Sequence, residues 1–312
     1  MSHAQIGLIC CLSFITLEAF QAVYLGSVFQ EVDSFLVGTW VFGISVVGCT
    51  LATAIFRPAE LAASCRAWRI VAALNLFAAL TWTTYFIAVQ LIEPAVVFTI
   101  FSGMVPLGTV IAGWLGLPEA CSLKRRFACI GHGLILLSIL SLAAITVFGF
   151  SGFVRGGWFA ALAGVGLSAL SGGCTAFVIL YSVRLNSRGV GPLAQFGLRF
   201  LLYTLLALIA FLIGVDDKGV PTPASDLAWI VLTGLVIIAF PLYLVQKAVP
   251  LIHASVIAAV TALGPAMVFL MQLFDGRVYY STATLAGLAI YIAGALMAVY
   301  SATKSSDAAS PR

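Results

Sequence analysis

The feature that most constrains this chain is a series of ten apolar stretches, each about twenty residues long, the length a helix needs to cross a bilayer. They run near 5–25, 35–56, 68–90, 94–116, 127–148, 156–182, 193–214, 227–246, 251–274 and 281–302. In hydrocarbon only a helix or a closed barrel satisfies its own backbone, and stretches of this length fit the helix. The composition agrees, with 62% of the 312 residues hydrophobic and 8% charged, against roughly 45–50% and about 25% in soluble domains. The expected fold class is therefore an all-α membrane protein with ten transmembrane helices. The connections are too short to fold alone, which excludes a sizeable aqueous domain, nucleic-acid binding and a cytosolic enzyme.

Charge placement orients the series. Arg57, Arg66, Arg69, Lys124, Arg125, Arg126, Arg184, Arg188, Lys247, Lys304 and Arg312 fall on the side that holds both ends, eleven in all. Arg155, Lys218 and Arg277, three residues, fall on the other, and Arg199 lies inside a stretch. Lys and Arg gather on the cytoplasmic side, so both termini are expected there, in a multi-pass protein of the bacterial inner membrane. Trp40, Trp158 and Trp229 stand at outer ends and Trp68 and Trp114 at inner ends, as interfacial aromatics do. The first stretch begins at Gln5 without a basic lead and reads as a retained helix rather than a signal peptide. The seven cysteines show no metal spacing and read as small buried apolar side chains.

The chain also resembles itself. Ala88-Val-Gln-Leu-Ile-Glu-Pro-Ala-Val-Val97 matches, 160 residues on, Ala248-Val-Pro-Leu-Ile-His-Ala-Ser-Val-Ile257, and each copy is followed by a proline near glycine, Pro106 and Pro265. Both copies join the third and fourth helices of a five-helix set. Because five is odd, the second set enters the membrane from the opposite side, giving two inverted repeats, 1–150 and 151–303, with a cytoplasmic tail at 304–312. Inverted repeats underlie alternating access in many carriers. Chance similarity between apolar helices is the competing account.

With these residues the sequence resembles the drug/metabolite transporter superfamily, in its EamA-type ten-helix permeases. The restart at Leu91 to Val96 and at Leu251 to Val256, the prolines 106 and 265, and the acidic helix end Leu117-Pro118-Glu119 carry the likeness. Two features depart from it: the second copy ends in Phe274-Asp275-Gly276, and Pro118 stands where the family usually has glycine. The resemblance implies a secondary carrier for small metabolites with a central cavity between two halves, and an exporter rather than an importer.

Ionisable groups at membrane depth are costly and tend to face a cavity. Glu18 stands 13 residues into the first stretch, with Gln21 and Phe14 on the same face. That face reads as cavity-lining, with Glu18 a site for a proton or a cationic group; a neutral Glu18 bonded to a neighbouring helix is the alternative. Gln195, Arg199 and Tyr203 follow at spacings of four, one helix face. Arg199 suits a carboxylate or a phosphate, against simple snorkelling to the interface. Trp82 and Tyr85, with Asn75, could wall a cavity or only pack. His253, near Tyr243, Gln246 and Lys247, would make the inner mouth positive, and His132 reads as an interhelical hydrogen bond. Ala160, Gly164, Ser168, Gly172 and Ala176 form a small-residue packing stripe. Pro106 and Pro265 are expected to break their helices and turn carbonyls toward the cavity.

An intramembrane enzyme fits poorly: no predicted span holds an aspartate, and no HExxH, GxSxG or nucleotide-binding loop occurs. No cofactor or metal is implied. The expected partners are a small-molecule substrate and the lipid bilayer, with no nucleic acid, and a homodimer is left open. One internal acid and one internal cation favour a zwitterion such as an amino acid or a derivative, with proton coupling through Glu18. The alternatives are a sugar- or nucleotide-type metabolite exchanger of the same superfamily and a non-transporting receptor or assembly subunit.

Overall fold

A computed structural model describes residues 3–117, 126–248, 251–252 and 254–309. Among these residues it is all-helical, in thirteen helices: α1 (His3–Val28), α2 (Ser34–Phe56), α3 (Pro58–Arg66), α4 (Trp68–Leu91), α5 (Pro94–Trp114), α6 (Arg126–Val147), α7 (Gly157–Asn186), α8 (Pro192–Arg199), α9 (Leu201–Leu212), α10 (Ala224–Ala248), α11 (Ala254–Thr261), α12 (Gly264–Gln272) and α13 (Thr282–Ala309). Among the described residues eight segments are long and apolar enough to cross a membrane, and two shorter apolar pieces, Ala224–Ile238 and Ala259–Gln272, occupy the remaining expected stretches. This is the build of a multi-pass membrane protein.

Local sequence sets the ends. Asp33 caps α2, its carboxylate accepting from the backbone N–H groups of Phe35 at 2.7 Å and Leu36 at 3.0 Å. Pro94 opens α5, where its missing N–H would have had no helical partner. Gly149, at φ +78°, closes α6: its own N–H donates to Thr146 and that of Phe150 to Ile145, a pairing that requires the left-handed conformation glycine tolerates.

Helices that follow one another are seldom the main partners. α1 packs on α10, α11 and α12, α2 on α8, α9 and α10, α4 and α5 on α7, and α6 on α13. α6 and α13 approach each other backbone to backbone. A Cβ added at Gly131 would stand 2.7 Å from the Ala298 nitrogen and 2.8 Å from the Gly294 oxygen. The small-residue stripe behaves as packing surface: Gly164 lies against Ile92, Gly172 against the Phe101 carbonyl and Ala176 against Gly108. The five interfacial tryptophans are exposed, as lipid-facing rings would be.

Several expectations need correction. Pro106 does not break α5, which runs from Pro94 to Trp114 with the proline inside it. One lost backbone bond is outweighed by packing, since Gly103 fits against Ile135 and Ile139 of α6 and Gly108 against Ala176 of α7. Pro265 does stand at a break, beginning α12 after α11 ends at Thr261. The seventh stretch is also broken, at Phe200, where no proline or glycine announces it. His132 bonds within its own helix, to the Ala128 carbonyl at 2.8 Å. Cys65 and Cys129 are exposed, whereas Cys10, Cys11 and Cys174 are buried as read.

Gly131→Ala is expected to cost about 1–3 kcal/mol, because backbone rather than a movable side chain blocks the new methyl. Gly133→Ala, with nothing within 4 Å, is the control. Thermal unfolding midpoints of the detergent-purified proteins check this, and equal midpoints for the two variants would show that α6 and α13 separate without penalty.

Candidate functional site

Glu18 lies deep in the bundle and still keeps some accessible surface. Among the described residues it has no hydrogen bond or ion pair. Gln21, one turn on, is buried, and no described side chain or backbone group bonds its amide. Phe14 is buried on the same face. Tyr85 of α4 lies within electrostatic reach of Glu18.

From Tyr85 an aromatic wall leads across the interior. Its ring meets Phe101 at 5.3 Å and Trp82 at 6.1 Å, and Trp82 meets Phe42 at 4.9 Å and Phe200 at 6.2 Å. The Arg199 guanidinium lies over Phe200 at 4.5 Å and over Phe196 at 4.9 Å. The two internal charges named from sequence thus stand at opposite ends of one row of rings, and no ion pair joins them. Cation–π contact of this kind holds a guanidinium in place without neutralising it. Arg199 Nε is buried without an acceptor, as is the Thr50 hydroxyl that faces Gly197 of the same helix.

The other members of the stripe take different places. Gln195 is buried and donates to the Val190 carbonyl at 2.7 Å, tying down the turn before α8. Tyr203 lies beyond the break at Phe200, fully buried against Phe42 and Gly38, with its hydroxyl unpartnered. His253 lies outside the described residues, and nothing is described of the Tyr243, Gln246 and Lys247 side chains. No group of three His, Cys, Asp or Glu able to hold a metal occurs among the described residues.

Asn75 supports the Arg199 end. Its amide nitrogen donates to the Leu198 carbonyl at 2.8 Å, and its oxygen accepts from the Leu202 N–H at 3.0 Å. These are the backbone groups on either side of the break at Phe200. A break at this depth has no water to satisfy it, so a side chain from α4 does so.

Sequence reasoning missed a second polar cluster, on the side opposite the chain ends. Glu93, in the turn between α4 and α5, is fully buried. It accepts from the Gly152 N–H at 2.7 Å, the Thr284 hydroxyl at 2.9 Å and the Gln272 amide. Burial pushes its carboxyl above the usual range, and the three donors hold it down. On the same side Asp216 accepts from the backbone and hydroxyl of Ser34 at 2.9 and 2.8 Å, while Lys218 bonds Asp216 and, at 3.1 Å, Gln90. Burial likewise pushes Asp33 up, opposed by the Leu36 and Phe35 N–H groups. The signal available was an acid directly before Pro94 in a chain with only 11 acidic residues.

No family model matches this chain, and no curated protein does. Among the solved structures that do match is one described only as the crystal structure of a protein. It is 19% identical, covers 96% of this chain and 97% of that chain, and superposes with a TM-score of 0.60. At that identity the likeness is one of fold alone.

Replacing Asn75 by leucine is expected to destabilise the protein by about 1–3 kcal/mol, since it strands a buried carbonyl and a buried N–H together. Asn75→Asp, which keeps the acceptor for Leu202, should lose less. The check is thermal unfolding in detergent, and a wild-type midpoint for Asn75→Leu would refute the bridging role.

Proposed function

We propose that this protein is a secondary carrier of a small polar metabolite, most simply a zwitterion such as an amino acid or a derivative, working by alternating access. The observation that carries the reading is Glu18 and Arg199 at opposite ends of the row Tyr85, Trp82 and Phe200, both deep, both without an ionic partner among the described residues and both with accessible surface. A buried charge without a partner costs several kcal/mol. Bound solute is an economical source of the missing partners, an ammonium for Glu18 and a carboxylate for Arg199.

The helix pairings support the inverted repeat. If the first five spans are α1, α2, α4, α5 and α6, and the second five are α7, α8–α9, α10, α11–α12 and α13, exchanging the sets turns the α1–α10 pair into α7–α4. It likewise turns α1 with α11 and α12 into α7 with α5, and leaves α2 with α8–α9 and α6 with α13 unchanged. All of these pairs occur. The reading carries with it ten spans, both ends in the cytoplasm of a bacterial inner membrane, membership of the drug/metabolite transporter superfamily and export as the direction.

Proteoliposomes loaded with a radiolabelled metabolite panel, with and without a pH gradient, test the proposal. Wild type is expected to move an amino-acid-like zwitterion. Glu18→Gln should lower the rate about tenfold or more, equivalent to about 1.4 kcal/mol, and flatten its pH dependence. Arg199→Ala should raise the half-saturating concentration by a similar factor. Wild-type behaviour in both variants would remove the site, and transport confined to sugar phosphates or uncharged compounds would remove the charge-pair argument. A reporter fused after Lys304 should read cytoplasmic, and a periplasmic signal would overturn the topology.

A further inference from the structure

Three separate segments meet on the side opposite the chain ends, and they are bonded as one unit. The α4–α5 turn pairs with the linker before α7, Glu93 N–H donating to Phe153 at 3.0 Å and Arg155 N–H to Leu91 at 2.8 Å. The linker pairs in turn with the segment before α13, Tyr279 N–H donating to Gly152 at 2.9 Å and the Ser281 hydroxyl to Phe150 at 2.7 Å. The Glu93 carboxylate sits at the centre, and Gln272 completes the join by accepting from the Ala95 N–H at 2.9 Å. Glu93 and Ala95 precede the linker in sequence, and the carboxylate's donors, Gly152, Gln272 and Thr284, all lie within it or after it.

A static cap in hydrocarbon would be better built of leucine, because a buried carboxylate held by neutral donors alone is costly. This join also leaves donors unmet. Arg277 lies over Phe153 at 4.6 Å with its Nε on Asp275 at 3.0 Å, but Nη1 and Nη2 are buried without acceptors, and so is the Ser151 hydroxyl. The Arg277 head is wedged against the outer end of α1, where a Cβ at Gly26 would lie 2.9 Å from Nη2. Parting the three segments would hydrate Glu93, Arg277 and Ser151 together. Closure therefore gains hydrogen bonds to Glu93 and forfeits hydration elsewhere, the balance a two-state element requires.

We infer that this cluster is the outer gate of the carrier, with Glu93 and Gln272 as its latch and Arg277 as the group that makes closure reversible. The inference rests on the carrier reading for its meaning. Its test does not, because it reads distance instead of transport.

The test is pulsed electron–electron distance measurement between spin labels at Glu31→Cys and Tyr279→Cys, both exposed, in protein whose seven native cysteines are replaced by alanine. These positions flank the contact between Arg277 and α1. In liposomes the short-distance population should dominate with the latch intact. Gln272→Ala should raise the long-distance population about tenfold relative to the short one, and Arg277→Leu, which removes the unmet donors, should lower it. Gly133→Ala, where an added methyl meets nothing within 4 Å, should leave it unmoved. Glu93→Gln, which keeps the shape and weakens the bonds, serves if Gln272→Ala does not fold. Identical distributions in all of these proteins would show a static cap and overturn the inference. A shift in protein that moves no solute would retain the gate and reject the carrier.

Discussion

The constraint on which this structure depends is that a backbone polar group in hydrocarbon must find its partner within the protein. Where the helices are whole the ladder meets it. Where they break, side chains must. Asn75 spans the interruption at Phe200, bonding one group on each side, and so fixes where Arg199 ends α8 and where α9 resumes. The position of the internal cation therefore follows from an amide on a different helix.

The same constraint sorts the two deep carboxylates. Glu93 receives a backbone N–H, a hydroxyl and an amide, and its acid group is consumed in holding segments together. Glu18 receives nothing from the described residues and keeps accessible surface. One carboxylate is thus tied to three separate segments of the chain, and the other is bonded by none of the described residues.

Much of this was legible in the sequence, because hydrophobic length and capping residues act locally. The start of α2 behind Asp33, the turn at Glu93 and Pro94, and the stripe from Gly164 to Ala176 all sit where the residues put them. The break at Phe200 was not legible, since no proline or glycine stands at it and the groups it frees are met by Asn75, more than a hundred positions away. Pro106 misled for the converse reason. Proline removes one bond, but the close packing of Gly103 and Gly108 against two neighbours keeps α5 whole. Of the site, Glu18, Trp82, Tyr85 and Arg199 were named from their depth and from the helix faces they share. The aromatic continuity that connects them, and the burial of Tyr203 against Phe42 and Gly38, depend on side chains from several helices and have no one-dimensional signature.

One asymmetry bears on how such a molecule would cycle. In the matched segments Glu93 stands where the second copy has His253, and Pro94 where it has Ala254. If the copies are inverted repeats, the two turns lie on opposite sides of the membrane and close opposite ends of one pathway. A carboxylate recruits neutral donors and backbone N–H groups, as Glu93 does here, whereas an imidazole can accept as well as donate and can carry charge near neutral pH. The two turns would then differ in the chemistry they carry although their helices are arranged alike. A carrier with identical gates has no preferred resting side. One whose two turns carry different side chains, a carboxylate at the first and an imidazole at the second, has no symmetry that would weight its two closed states equally.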